Sequence, residues 1–195
     1  MNKLNVVIAF FAVIALIIGM KLWHHTGASY TPSNGGVSAS ILSPPHDVAR
    51  FSLLDTKAKP FNNSSLWAHW TFVTFGSASH CSESCAETMK ALNTMVQKLQ
   101  VNKQTPIPQV VFISTDAVND SLNIISDFTA KFSPDFIGVS GDMKQVALLS
   151  QLLPADEPDA VLLIDPSGKL SGIFAKPHRS DYMVHDFKII VQNEG

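Results

Sequence analysis

Two short apolar runs, VVFIS at 110–114 and AVLLI at 160–164, limit the fold more than any other feature of the chain. A strand with one wet face alternates apolar and polar side chains. A run with almost no polar member suits a strand covered on both faces. Such strands need helices packed against them, and the sequence supplies four candidates. In residues 81–99 the apolar positions Cys81, Cys85, Met89, Leu92, Val96 and Leu99 recur at steps of three and four, which marks one face of a helix. Leu122, Ile125, Phe128 and Phe132 mark a second helix, and residues 143–153 a third. Residues 181–191 give a fourth, packing by Tyr182, Phe187 and Ile190. Further strands fall at 51–55 (FSLLD), 69–75 (HWTFVTF, ended by Gly76), 136–139 and 169–174. The last returns as a hairpin partner through the turn DPSG at 165–168. This order predicts an α/β fold with a mixed central sheet.

A chain of 195 residues has room for one such domain plus an appendage. Hydrophobic residues make up 46% and charged residues 15%, and part of that excess lies in VVIAFFAVIALIIGM at 6–20. Lys3 precedes the run, and Lys21 and Trp23 follow it. Residues 4–23 reach the roughly 20 residues of a spanning helix, with Trp23 as an interfacial anchor. A cleaved signal peptide has a similar apolar stretch, but no small-x-small site follows directly. Residues 1–25 are therefore read as a signal-anchor and transmembrane segment. Residues 26–45, rich in Gly, Ser, Thr and Asn and ended by Pro44 and Pro45, read as a flexible tether. Residues 46–195 read as the folded domain. Anchor and cleaved signal alike export that domain, so it is expected on the periplasmic side of an inner membrane. The net charge of −2 and the lack of a basic stripe interleaved with aromatics speak against nucleic acid as a partner.

The chain has two cysteines, Cys81 and Cys85. They are too few for a disulfide scaffold or a structural zinc site, and an isolated close pair suits redox or metal chemistry better. They follow a core strand and open a helix, which is the thioredoxin-type layout. If both are helical they share one face, about 6 Å apart at Cα. A start one turn later, with Ser84 and Glu87 as a capping box, leaves Cys81 in the loop. The helix N-terminus favours thiolate, hence both exchange and Cu(I) binding. His80 adjoins the pair and can aid either role. The alternative is a plain structural disulfide. Asp116 and Asp120 lie near strand C-termini, where sites in such sheets gather, but read first as caps of the following helix.

These segments together resemble the Sco/SenC family of copper chaperones and thiol oxidoreductases, over residues 51–174. TFG followed by HCSESC resembles the family's FG-x-T-x-C-P-x-x-C-P, and VVFISTDAVND its V-F-I-S-V-D-P-x-x-D. FSLLD, FIGVSGD and LLIDPSG resemble its first strand, the segment before its third helix, and its closing hairpin. The resemblance implies a thioredoxin-like fold, an N-terminal membrane anchor, and copper held by Cys81, Cys85 and a distant histidine. It implies a part in cytochrome c oxidase assembly, with an oxidase subunit or another thiol protein as partner. The one enzymatic activity it implies is thiol–disulfide exchange; in it Cys81, the more N-terminal and expected to be the more exposed, would attack and Cys85 resolve.

The sequence departs from the family at telling places. The loop between Phe75 and Cys81 is one residue longer, and Ser82, Ala86 and Ala117 replace prolines. Glu157, beside Asp156 and Pro158, stands where the histidine ligand belongs. A carboxylate serves Cu(I) less well than imidazole. His80, His178 and His185 are the replacement ligands to consider, each more ordinary as a surface or core residue. Pro158 falls close to where thioredoxin-like reductases carry a cis-proline. Two other functions compete. One is a non-catalytic binding module with a structural disulfide. The other is a peroxiredoxin-like peroxidase, for which SASHCSE lacks the required Thr and Pro.

Overall fold

The computed structural model describes residues 39–101 and 106–193. The anchor expected over residues 1–25 and most of the tether lie outside the described residues. Among the described residues no helix is long and apolar enough to cross a membrane.

The elements run β1 (Ser40–Asp47), β2 (Ser52–Asp55), β3 (Pro60–Asn62), a 3-10 turn (Asn63–Leu66), β4 (Thr71–Gly76), α1 (Glu83–Val101), β5 (Gln109–Ser114), α2 (Leu122–Ala130), β6 (Ile137–Ser140), α3 (Met143–Ser150), β7 (Val161–Ile164), β8 (Lys169–Phe174) and α4 (Ser180–Asn193). The eight strands form one sheet in the order β1-β8-β7-β4-β5-β6-β2-β3. β4, β5 and β6 run parallel and the remaining neighbours antiparallel, so the sheet is mixed as expected.

Alternation along the central strands sorts the core into two layers. Phe72, Val110, Phe112, Val161 and Leu163 face α1, α2 and α4. Val73, Val111, Ile113, Leu162 and Ile164 face the other way, with Val146 and Leu149 of α3. Both faces of β5 and β7 are thus covered, which is why their sequences show no polar alternation. In α1 Met89, Leu92, Val96 and Leu99 of the expected stripe are buried, joined by Met95, which the stripe did not include. In α4 the prediction fails at Tyr182: Met183, Phe187 and Ile190 fill the core, while Tyr182 is half exposed under the Arg179 guanidinium, 4.4 Å away. α2 and α3 end earlier than expected, at Ala130 and Ser150. Phe132 follows α2 and still packs on Phe128, ring centroids 5.3 Å apart.

The strand β1 takes in residues 40–45, which composition assigns to the tether. Prolines inside a run argue against a strand, yet Pro44 and Pro45 sit where the register with β8 breaks, between Ile41 and His46. An edge strand tolerates prolines at such a break, because no ladder donor is needed there. β3 returns antiparallel on β2 with Phe61 opposite Leu53, forming a hairpin after FSLLD.

The turn between β7 and β8 has a clear physical basis. Asp165 Oδ1 accepts hydrogen bonds from Ser167 N–H at 2.8 Å and Lys169 N–H at 3.0 Å. Gly168 takes φ +84°, and a Cβ there would lie 2.9 Å from the Trp67 ring. Replacement by alanine meets both backbone strain and a clash. Gly168→Ala should lower unfolding free energy by about 1–3 kcal/mol, read as a lower urea midpoint at unchanged m-value.

Candidate functional site

β4 delivers the chain to the site. Its last residue, Gly76, accepts a hydrogen bond from Thr115 N–H at 2.8 Å, which ties the ends of β4 and β5 together. After a short loop comes Ser82, whose Oγ accepts from Cys85 N–H at 3.2 Å and whose carbonyl accepts from Ala86 N–H at 3.0 Å. Ser82 is therefore the N-cap and α1 begins at Glu83. The register that predicts a helix from residue 81 is right about the face but two residues early. The Ser84–Glu87 box is not used; the Ser84 carbonyl instead accepts from the Thr88 hydroxyl at 3.0 Å.

Cys81 thus lies just outside the helix and Cys85 in its first turn. They form a disulfide with Cα atoms 5.5 Å apart. Both are half buried, against the core layer of α1, α2 and α4. A Cβ on Gly76 would stand 3.2 Å from the Phe112 ring, a tight approach, and 3.5 Å from Cys85 Sγ, an ordinary contact, so the bare glycine leaves room for the ring beside the inner sulfur. A bridge across so few residues restricts the unfolded chain by only about 2 kcal/mol, against about 4.7 for a hundred-residue loop. Stapling is a modest part of what it offers. The positive end of α1 favours a thiolate on either sulfur, while Glu83 in the same first turn competes for that field.

Sequence reasoning missed the role of Asp120. It does not cap the next helix; Ser121 does, accepting from Ile124 N–H at 3.3 Å. Asp120 is 2% exposed and turns toward the cysteine loop. Its carboxylate accepts from Ala78 N–H at 2.7 Å, Ser79 N–H at 2.8 Å, the Ser114 hydroxyl at 2.6 Å and the Ser79 hydroxyl. Burial alone would raise its pKa. The bonds from Ser114, from Ser79 and from the two backbone N–H groups outweigh that and hold it below the usual carboxylate value. Asp116 is no helix cap either. It accepts from Asn119 within its own turn, and its Oδ2 lies 3.6 Å from Nδ1 of exposed His80. A signal for Asp120 was present in sequence only as the second acid of VVFISTDAVND.

The three histidines raised as ligands are dispersed in their roles. His80 pairs with Asp116. His185 Nδ1 lies 3.3 Å from Asp186 on α4. His178 is partly buried with both ring nitrogens engaged: Nε2 is 3.1 Å from the Phe174 carbonyl, and Nδ1 is 2.9 Å from the Thr88 hydroxyl. Burial pushes its pKa down; Lys176 adds to this, while the Phe174 carbonyl and the charges of Asp159 and Glu157 oppose it. Glu157 lies in a turn, its N–H donating to the Pro154 carbonyl at 3.0 Å. Among the described residues no three His, Cys, Asp or Glu side chains come together to hold a metal ion. The peptide before Pro158 is trans; the described cis bonds precede Pro44 and Pro177. A cleft of about 400 Å³ opens beside Gly76, lined by Phe75, Thr115, Leu153, Pro154 and Pro158 among others.

A profile of the SCO1/SenC family matches residues 41–192, most of the chain. This chain belongs to the SCO1/SenC family. The mitochondrial SCO2 homologue of Mus musculus is 26% identical over 153 residues, which is 71% of this chain and 60% of that protein's own length. An SCO2-like protein of Rickettsia bellii is 28% identical over 144 residues, covering 72% and 70%. Yeast Sco1, solved with copper bound, superposes with a TM-score of 0.68 at 20% identity, over 77% of this chain and 94% of its own. A thiol:disulfide interchange protein of the thioredoxin family from Chlorobium tepidum gives 0.56 at 18% identity, covering 75% and 97%. The fold of this SCO1/SenC chain is accordingly thioredoxin-like, as its strand–cysteine–helix order predicts.

The neutral state of His178 bears on stability. Its folded pKa lies below the unfolded value, so its contribution is full above about pH 6.5 and declines as pH falls from there toward the folded pKa. His178→Gln should therefore lessen the drop in Tm between about pH 7.5 and pH 5.5, with the difference from wild type largest at the upper end.

Proposed function

We propose that this SCO1/SenC chain is a membrane-anchored, extracytoplasmic thiol–disulfide exchange protein that serves cytochrome c oxidase assembly. Its working couple is Cys81–Cys85. The observation that carries the reading is a half-buried disulfide astride the capped N-terminus of α1, with one sulfur outside the helix and one inside its first turn. In the reduced protein the Cys81 thiolate attacks a partner disulfide, and one partner sulfur leaves as thiolate. The Cys85 thiolate then attacks Cys81 in the mixed disulfide and releases the second partner sulfur. Two electrons pass to the partner, and the Cys81–Cys85 bridge is restored. Cys81 takes the first step because it stands outside the helix, while Cys85 is held in its first turn. The partner is an oxidase subunit or another thiol protein. Family membership supports the setting, as does the description of one structural relative as having a disulfide switch within the Sco family of cytochrome c oxidase assembly proteins.

Copper delivery is the second reading, favoured by family membership and by the copper seen in yeast Sco1. The two thiolates of the reduced pair suit Cu(I) as cargo. The third donor does not fit the usual set: Glu157 replaces the histidine, and both nitrogens of His178 are already engaged.

Equilibration of the soluble domain with glutathione should show a two-electron couple, and Cys81→Ser should abolish it with the fold intact by far-ultraviolet circular dichroism. A wild-type disulfide that resists excess dithiothreitol would sink the exchange reading. Anaerobic titration with Cu(I) separates the two functions. Stoichiometric copper that survives a competing chelator and is lost in Cys81→Ser would shift the conclusion to delivery.

A further inference from the structure

We infer that Asp120 is a positioning residue for the Cys81–Cys85 couple: its buried carboxylate anchors the loop that presents Cys81, and so sets how stable the disulfide is. This rests on the exchange reading above.

Cys85 is held by the helix, through its N–H on Ser82 Oγ. Cys81 lies outside the helix, so its place depends on residues 77–80. Asp120 receives hydrogen bonds from three of these in a row. Ala78 N–H reaches Oδ2 at 2.7 Å, Ser79 N–H reaches Oδ1 at 2.8 Å, and the hydroxyls of Ser79 and Ser77 (3.5 Å) also point to Oδ1. From the sheet side, Oδ2 also accepts from the Ser114 hydroxyl at 2.6 Å. The loop's other bonds run mostly within itself, such as His80 N–H to Ser77 Oγ at 3.2 Å, apart from exposed His80 near Asp116. A loop ordered in advance loses less freedom when the bridge closes, which raises the effective concentration of one sulfur at the other.

The two backbone tethers end on different oxygens. A hydroxyl can turn and accept instead, but a backbone N–H cannot. Asparagine has one oxygen, so Asp120→Asn must lose at least one tether at nearly constant shape.

The measurement is the equilibrium with glutathione. Two glutathione thiols supply two electrons and become glutathione disulfide. The Cys81–Cys85 bond breaks, and the two protons end on the cysteine thiols. Asp120→Asn should lower the effective concentration about tenfold, moving the potential about 30 mV less negative. Ser79→Ala removes one donor from an exposed side chain that the core does not need, and should shift it about threefold in the same direction. Ser114→Ala takes a donor from the carboxylate but none from the loop, and should stay within about twofold of wild type while lowering Tm. If Asp120→Asn does not fold, Ser79→Ala decides. Asp120→Asn and Ser79→Ala both within about twofold of wild type would overturn the inference, as would Ser114→Ala shifting as far as Asp120→Asn. A wild-type bridge that never equilibrates with glutathione is a different failure, and removes the exchange reading itself.

Discussion

Burial of β4 and β5 on both faces is the constraint from which the rest of the molecule follows. Phe72 and Phe112 point to one layer of helices, Val73 and Ile113 to the other side. Parallel strands cannot be joined by a tight turn, so the chain must leave β4 at its C-terminal end and return through a helix. That crossover is α1. The cysteines lie at its start because the junction offers two things together. One is a stretch of backbone outside the ladder. The other is a helix end with unpaired N–H groups. β6 continues the parallel set, and the remaining strands pair antiparallel with their neighbours out to edges at β1 and β3.

The site is built from polar groups that are individually ordinary. Ser82 caps α1, Gly76 leaves space for the Phe112 ring beside Cys85, and Asp120 draws the cysteine loop onto the end of β5. The most costly of these is the buried carboxylate. It is tolerated because every oxygen is shared among several donors, which is also why its pKa is depressed rather than raised. The negative charge therefore belongs to the architecture of the loop, and the positive helix end to the chemistry of the sulfurs.

Much of this was legible in the chain. The buried strands, the stripe on α1 and the DPSG turn all follow from local pattern, because side-chain period and turn chemistry act over a few residues. The proximity of Cys81 and Cys85 was legible for the same reason. The strand β1 was not, since its prolines are acceptable only beside a register break that β8 provides. Tyr182 was misplaced because a helix one residue out of phase still looks amphipathic; packing chose Met183.

The amino-acid sequence by itself determined the fold class, the sheet that must be covered on two sides, and the spacing that puts two sulfurs at one helix end. Only the tertiary structure decided which acid bonds the backbone of the cysteine loop, because Asp116 and Asp120 are equivalent candidates until the end of β5 is set against the loop after β4. It likewise decided that His178 is spent on Phe174 and Thr88. The physical reason is the same in both cases: hydrogen-bond partners distant in sequence become neighbours only when the strands are paired, and no local periodicity encodes that pairing.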